Sequence, residues 1–286
     1  MSIDPSHYFG PRVIRPSSLT TLADCERRWA AHALPDEVAQ AGFVLHGRRP
    51  THVGAAVGTG VHAAAAYTME AKIADGTLGN ETEAIDRAEE GLKAQMTYGV
   101  AWDAITADLP TAQKQVARMA KTYRRFTAPN VEPLLVERRL EGDVGDGWSV
   151  SGQLDTLQGD PDNVLRDLKT GAHQRANHVQ YGMYAMLFRS HGYRVDRLTE
   201  DFIRRASLRK EQPLPVEVTI DIESAVSDAW ESVRTIKATT AEFHRRLADP
   251  NGPPPEGAFR PNPASQLCGE KWCNAWGTQF CKAHKR

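Results

Sequence analysis

The sequence predicts an α/β domain, and three observations carry that expectation. Two short apolar segments, Trp148–Gln158 and Asn163–Lys169, flank the turn formers Gly159-Asp160-Pro161-Asp162 and read as an antiparallel hairpin. A third extended segment, Glu132–Glu141, precedes them across Asp143-Val144-Gly145-Asp146-Gly147 and makes the hairpin a three-strand meander. From Gln174 to Ser190 the apolar spacing of Val179, Met183, Met186 and Leu187 turns helical; extended runs Leu198–Leu208 and Val216–Ile220 follow, then a helix from about Glu223 to Leu247 using Val226, Trp230, Val233 and Ile236.

The helices before the meander have their own signals. Ser17-Ser18 can cap a helix running through Leu22, Cys25 and Trp29 to about Leu34. Gly58-Thr59-Gly60-Val61-His62 leads into a run of alanines and Glu70, which places His62 near the start of a tightly packable helix of roughly four turns. Glu81–Tyr98 and Pro110–Phe126 read as two further helices, the second with Pro110 at its first position and Val116, Met119, Ala120 and Tyr123 on one stripe. Pro250–Pro263 cannot be helix and reads as an extended connector to a cysteine-rich tail. The chain of 286 residues therefore divides into a helical part (1–130), an α/β core (131–249) and a connector with its tail (250–286), all within one domain.

Composition excludes some function classes. No apolar run approaches the ~20 residues that span a bilayer, and the N-terminus lacks the basic and apolar regions of a secretory signal. A cytoplasmic location without a membrane partner is the expectation. The net charge of −1 gives no bulk attraction to a polyanion, so nucleic-acid binding would need local patches. Arg204-Arg205 with Arg209-Lys210, and Lys282–Arg286, are the candidates, with a solvated face or a fraying terminus as the competing account. No phosphate-binding Gly-x-x-x-x-Gly-Lys is present, so any unwinding of a duplex would come from a partner.

Chemistry concentrates on the hairpin. If its turn is symmetric about Pro161, Asp155 faces Asp167 across the strands. Their Cβ atoms would lie roughly 4.5–5.5 Å apart, and like charges so placed are destabilising unless a cation sits between them. Lys169 shares a face with Asp167, while the Leu168 side chain points the other way and its carbonyl remains able to reach a hard metal. Gln180 and Tyr184, four apart, share a helix face. Each residue alone also fits the rim of an ordinary buried hairpin and its following helix. Glu137 is an acid within an apolar strand, which needs a partner: either the site, or an edge salt bridge to Arg138 or Arg139. A lone His62 is commonly a capping or core residue, though a neutral imidazole is a competent ligand.

Taken together, Gly152-x-x-Asp155, Asp167-x-Lys169-Thr170-Gly171 and Gln180-x-x-x-Tyr184 resemble the motifs of the PD-(D/E)XK nuclease superfamily, in particular its RecB-like branch, with Leu154 where the family's leading Pro would stand. The resemblance implies a restriction-endonuclease-like core of helix, three-strand antiparallel meander, helix and strand, to which helices are added. It implies Mg²⁺ or Mn²⁺ held by Asp155, Asp167, the Leu168 carbonyl and His62, the last through the family's Gly-x-x-x-His element. Lys169 would orient or activate water, Gln180 and Tyr184 would position Lys169 or the DNA backbone, and Glu137 would be an auxiliary acid. The implied activity is hydrolysis of DNA phosphodiesters to 5′-phosphate and 3′-hydroxyl ends, as an exonuclease more readily than an endonuclease, since no separate recognition domain is visible. Repair, recombination, phage DNA metabolism and CRISPR adaptation all suit it, with helicase, recombination or CRISPR-adaptation proteins as partners. The competing expectation is a non-catalytic DNA-binding or assembly subunit of the same fold.

The four cysteines are Cys25, Cys268, Cys273 and Cys281. Two disulfides would suit a small secreted chain, and a structural zinc site is an alternative, although gaps of four and seven residues differ from the usual Cys-x-x-Cys pairs. One distant cysteine with three C-terminal ones, together with Pro16-Ser17-Ser18-Leu19 and Cys25-Glu26-Arg27-Arg28-Trp29, resembles the iron staple of AddB-type and CRISPR-adaptation exonucleases. That resemblance implies a [4Fe–4S] cluster, with Glu26 where relatives usually have Pro and with wider spacings than theirs. Such a staple would close a loop of roughly 240 residues, and because closure entropy grows only logarithmically its value would lie in positioning the chain ends.

Overall fold

A computed structural model describes residues 12–282 apart from 48, 98, 160 and 175–177. The three-strand meander is present: β4 (Pro133–Gly145), β5 (Trp148–Gln158) and β6 (Val164–Gly171) run antiparallel in sequence order. The helix α7 (His178–Ser190) then carries the chain over to β7 (Arg197–Arg204), which lies parallel to β6, and β8 (Val216–Ile220) returns antiparallel beside it. A short strand not foreseen from sequence, β1 (Arg12–Ile14), lies parallel to the start of β5 over Trp148–Val150. Three residues are too few for periodicity to register.

The sheet is covered on both faces. One face packs on α1 (Leu19–Asp24), α2 (Glu26–Ala33), α7 and α8 (Ile222–Leu247), around a core that includes Trp29, Leu154, Leu165, Phe188 and Phe243. The other packs on α4 (Val53–Asp75), α5 (Glu81–Ala94) and α6 (Leu109–Thr122), around Val57, Val61, Met119, Leu168 and Ile203. Asn80, Asp108 and Asp221 cap α5, α6 and α8, each side chain accepting the N–H three residues on. The short helix α3 (Pro35–Gln40) and the two-residue pair β2 (Thr51–His52) with β3 (Val100–Ala101) complete the frame.

Three expectations are corrected. The N-terminal helix is not continuous: Cys25 is extended (φ −160°, ψ 106°), ending α1 and capping α2, with its sulfur accepting the Arg28 N–H at 3.5 Å. His62 is the tenth residue of a long helix rather than near the start, because α4 begins at Val53, where the His52 ring accepts the Gly54 N–H. The glycines ahead of it are packing positions, as a Cβ on Gly60 would meet the Ala88 carbonyl at 2.4 Å. Finally, the tail is not separated from the body. After a single 3₁₀ turn at Pro255–Ala258, Phe259 and Phe280 enter the same core as Trp29 and Phe243, and Glu26 pairs with Arg260 at 2.9 Å. The predicted end of the second helix at Tyr98 lies outside the described residues; α5 itself ends at Ala94.

Candidate active site

The register of the meander sets the site. Thr156 faces Arg166 and Leu157 faces Leu165, and continuing that register brings Asp155 opposite Asp167, as the turn symmetry predicts. On the other flank Val136 faces Thr156 and Arg138 faces Leu154, which brings Glu137 opposite Asp155. Three carboxylates thus stand abreast on three strands, and neither ladder pairs that row. Glu137 adopts φ +47°, a left-handed backbone that costs an acidic side chain about 1–3 kcal/mol and is characteristic of functional sites. On the far side, the Asp155 carboxylate enters the gap left by the ladder, its Oδ2 accepting the Leu168 N–H at 2.7 Å. The acids are therefore more than cross-strand neighbours: they interrupt the sheet.

From α4, His62 Nδ1 approaches Asp155 Oδ1 at 3.0 Å. Among the described residues, ligand atoms of His62, Glu137 and Asp155 lie within 4.8 Å of one another, as a metal shell would require. Asp167, 2% exposed, is instead turned toward Lys169, whose Nζ lies 2.5 Å from Asp167 Oδ2. Of the metal set expected from sequence, His62 and Asp155 fall within this group, which Glu137 joins and Asp167 does not. The Leu168 side chain belongs to the α4 face core, as its alternation predicts. Gln180 and Tyr184 are both buried on α7, and the Gln180 amide donates to Tyr184 Oη at 3.0 Å. Gly152 makes room for them, since a Cβ there would meet Tyr184 Cε1 at 2.8 Å and Pro16 Cγ at 3.0 Å.

Electrostatics follow from this crowding. Burial raises the Asp167 carboxyl to about 6, with Asp155 adding to the rise and Lys169 opposing it. Burial and then Asp155 also raise Glu137. Asp155 is held below the usual carboxylate range: its burial works the other way, but His62 and Lys169 outweigh it. Burial disfavours the charge on Lys169, yet Asp167 and Asp155 hold its proton firmly. Burial would strip the His62 proton, but the facing Asp155 carboxylate overrides it and raises His62 from 6.5 to about 9. The folded chain therefore keeps a proton on His62 that the unfolded chain releases near 6.5, and stability from this pair is complete below that pH and lost as pH rises toward 9. Thermal unfolding of the metal-free protein is expected to show Tm falling from pH 6.5 to 9, with His62→Gln flattening the fall; equal slopes for both chains would exclude the pair as the source.

Several residues at the site were not anticipated. Gln153 donates from Nε2 to Glu137 and accepts at Oε1 from Arg139 Nη2, 2.6 Å away, so neither Arg138 nor Arg139 pairs with Glu137 directly. Gln153 is two residues from Asp155 on one strand, a period-two signal available in the sequence. Glu200, 1% exposed and opposite Asp167 on β7, accepts from Tyr181 Oη and from Gln174 Nε2 at 2.9 Å. The Lys169 ammonium lies 5.7 Å from the centre of the Tyr181 ring. Glu200 carried the same signal as Glu137, an acid inside an apolar strand. Beneath the acids, Tyr123, Arg166 and Asp201 line with His62, Glu137 and Asp155 a cavity of about 10 Å³; Arg166 and Asp201 are paired at 2.9 Å. Of the expected basic patches, Arg205 is buried against Asp103 at 2.5 Å, and residues 283–286 lie outside the described residues.

The four cysteines meet at a second place. Cys25, Cys268, Cys273 and Cys281 line one small cavity with Arg28 and Trp276. The Cys25 sulfur also accepts the Asn262 N–H at 3.4 Å, and burial raises the Cys273 thiol, with the Cys281 and Cys25 sulfurs adding to the rise. Four thiols on one cavity, one of them receiving two backbone N–H groups, form a donor set suited to a thiolate-bound metal.

The profile of the PD-(D/E)XK nuclease superfamily matches residues 14–276, so the chain belongs to that superfamily, whose members use divalent metals. A candidate exonuclease from Eubacterium rectale has a similar structure, with a TM-score of 0.48 at 9% identity, covering 94% of this chain and 92% of that one. LHK-Exo, solved in complex with dAMP, gives a TM-score of 0.30 at 12% identity, covering 66% of this chain and 96% of that one. A comparison with curated proteins found no match. Among the described residues, no helix is long and apolar enough to cross a membrane.

Proposed function

We propose that this protein is a metal-dependent DNA exonuclease of the RecB-like type, formed as one domain over residues 1–286 and carrying a [4Fe–4S] cluster on its four cysteines. The observation that carries the reading is the row of Glu137, Asp155 and Asp167, with His62 closing on it from α4. Three carboxylates in one row, Asp167 buried and Glu137 and Asp155 half-buried, are costly in the absence of a cation, and the strained Glu137 backbone adds to that cost. His62, Asp155 and Glu137 would hold Mg²⁺ or Mn²⁺, with Asp167 and the Leu168 carbonyl completing the shell. A divalent ion so held lowers the pKa of a bound water and polarises a phosphoryl oxygen.

The chain's own residues do the rest. Lys169, kept protonated by its acidic neighbours, offers N–H donors to the charge that builds on the phosphoryl oxygens during attack. Its position depends on Asp167 and on the Tyr181 ring, which Glu200 anchors. Gln180 and Tyr184, hydrogen-bonded to each other on α7, would position Lys169 or the DNA backbone. His62 gives up its proton when it becomes a ligand, so metal should bind more tightly as pH rises.

Four thiols on one cavity suit zinc as well as iron, and the choice of a [4Fe–4S] cluster rests on the resemblance of one distant cysteine with three C-terminal ones to the iron staple of AddB-type and CRISPR-adaptation exonucleases. The test of the function is cleavage of end-labelled linear duplex and single-stranded DNA with Mg²⁺ or Mn²⁺, set against closed circles and EDTA. Release of mononucleotides or short fragments from linear DNA alone is expected. Cutting of closed circles would assign an endonuclease, and cleavage persisting in EDTA would remove the metal site from the reaction.

A further inference from the structure

A DNA phosphate approaching three acids in a row is repelled unless a cation meets it. Of the basic patch Arg204-Arg205 with Arg209-Lys210, three side chains are exposed but stand at or beyond the end of β7, outside the β4–β6 row of acids, and Arg205 is 3% exposed and committed to Asp103 and Thr106. Lys169 is committed to Asp167. Beside the acids on the β4–β5 face, however, Arg139 is exposed and its guanidinium is fixed, Nη2 donating to Gln153 Oε1 at 2.6 Å. The other end of the same amide donates to Glu137 Oε2. Arg139 faces Gln153 directly in the register, and each sits two residues from an acid of the row, Glu137 on β4 and Asp155 on β5.

One neutral amide therefore joins a metal-side carboxylate to a surface guanidinium. A direct Glu137–Arg139 ion pair would neutralise both charges; Gln153, being donor and acceptor at once, satisfies both and cancels neither. It engages one of the five N–H donors of the guanidinium fork. Resting on the nuclease reading above, we propose that Arg139 contacts a DNA backbone phosphate next to the scissile one, and that Gln153 is a positioning residue that aims Arg139 outward and Glu137 inward. The recognised group is a phosphodiester oxygen pair, which a planar fork can meet in a bidentate way.

The test measures affinity separately from cleavage. In an Asp167→Asn background with EDTA, binding of a fluorescein-labelled linear duplex is followed over roughly 50–200 mM salt. Arg139→Ala is expected to weaken binding about tenfold and to reduce the salt slope by about 1. Arg139→Lys should keep the slope and recover only part of the affinity, because a point charge lacks the fork. Gln153→Leu should weaken binding and reduce the slope in the same direction as Arg139→Ala, because Arg139 is freed to pair with Glu137. Unchanged affinity and slope for Gln153→Leu would remove its role in aiming Arg139. The same change should lower kcat in the otherwise native chain because Glu137 loses its donor. With Arg139→Ala in that chain, the loss should fall mainly on KM. Unchanged affinity and slope for Arg139→Ala would overturn the proposal, as would a kcat loss with KM and Kd unmoved, which would make Arg139 part of the acid network alone. Failure of the native chain to cleave any DNA would sink the nuclease reading, while the binding arms would still decide whether Arg139 meets phosphate.

Discussion

Replacing Asp155 with asparagine is expected to lower metal-dependent DNA cleavage by about 10³-fold or more, because it removes a charge from the centre of the proposed metal shell while sparing the fold. Asparagine preserves the shape of the site. Its Oδ1 can still accept the Leu168 N–H that Asp155 accepts at 2.7 Å, so the break in the β5–β6 ladder stays capped. What it loses is the anion that faces His62 at 3.0 Å and that stands between Glu137 and Asp167.

The metal-free variant should be modestly less stable than the parent near neutral pH, because Asp155 is held below the usual carboxylate range and its charge is therefore favoured in the fold. Two repulsions disappear, from Glu137 and from Asp167, both of whose carboxyls Asp155 helps to raise. Two attractions disappear as well, those with the imidazolium of His62 and with the Lys169 ammonium. Since the His62 contribution fades as pH rises, the variant's deficit should narrow toward pH 9, where the parent has lost that pairing. Thermal unfolding in EDTA at two pH values, beside nuclease assays in Mg²⁺, separates the two effects. Retention of more than about a tenth of the parent's activity would remove Asp155 from the metal shell; a large fall in Tm with activity lost would make its role architectural.

Much of this site was legible in the sequence, for physical reasons that differ by residue. The Asp155–Asp167 register followed from one turn, because antiparallel pairing fixes every position once the turn centre is known, and Gly159, Pro161 and Asp162 mark that centre. Alternation placed Lys169 on a face with Asp167 and helical spacing placed Gln180 with Tyr184, while their assignment to the site came from the resemblance to the family's motifs. Glu137 was visible as an anomaly, but its left-handed backbone was not, since an acid in a strand gives no signal of positive φ. Residues whose roles depend on tertiary partners were missed. Tyr181 and Glu200 are far apart in sequence and meet only because α7 packs beside the parallel β6–β7 pair.

The helix break at Cys25 was hidden for another reason. Ala23-Asp24-Cys25-Glu26-Arg27 has no Gly or Pro, so propensity favours continuity. The break is enforced from outside, by the tail, whose Asn262 donates its backbone N–H to the Cys25 sulfur and its side-chain amide to the Asp24 carbonyl. Similarly, the proline-rich connector looked like a spacer because its own composition cannot show that Phe259 will be buried among Trp29, Phe243 and Phe280.

If the four thiols hold the proposed cluster, Cys25→Ser is expected to remove the metal and to lower Tm by roughly 10 °C, on a scale of about 2–4 °C per kcal/mol for a domain of this size. The tail should not be released altogether. Glu26–Arg260, the Arg27 guanidinium on the Phe259 carbonyl and the buried Phe280 ring all hold it without the cysteines. The loss should instead be felt where α1 and α2 meet, because Cys25 is the hinge residue between them and caps the second. From there the path to the active site is short: the turn that starts α1 places Pro16 beside Gly152 and Tyr184, within the space that Gly152 leaves open. Activity should therefore fall several-fold rather than vanish, in contrast to Asp155→Asn. Anaerobic purification with iron and zinc analysis, together with visible absorption near about 400 nm expected of a thiolate-held cluster, reads the metal; thermal unfolding and nuclease assays read its consequences. Unchanged metal content and Tm in Cys25→Ser would show that the four thiols share a cavity without sharing a ligand, and zinc in place of iron would keep the structural role while correcting the cluster.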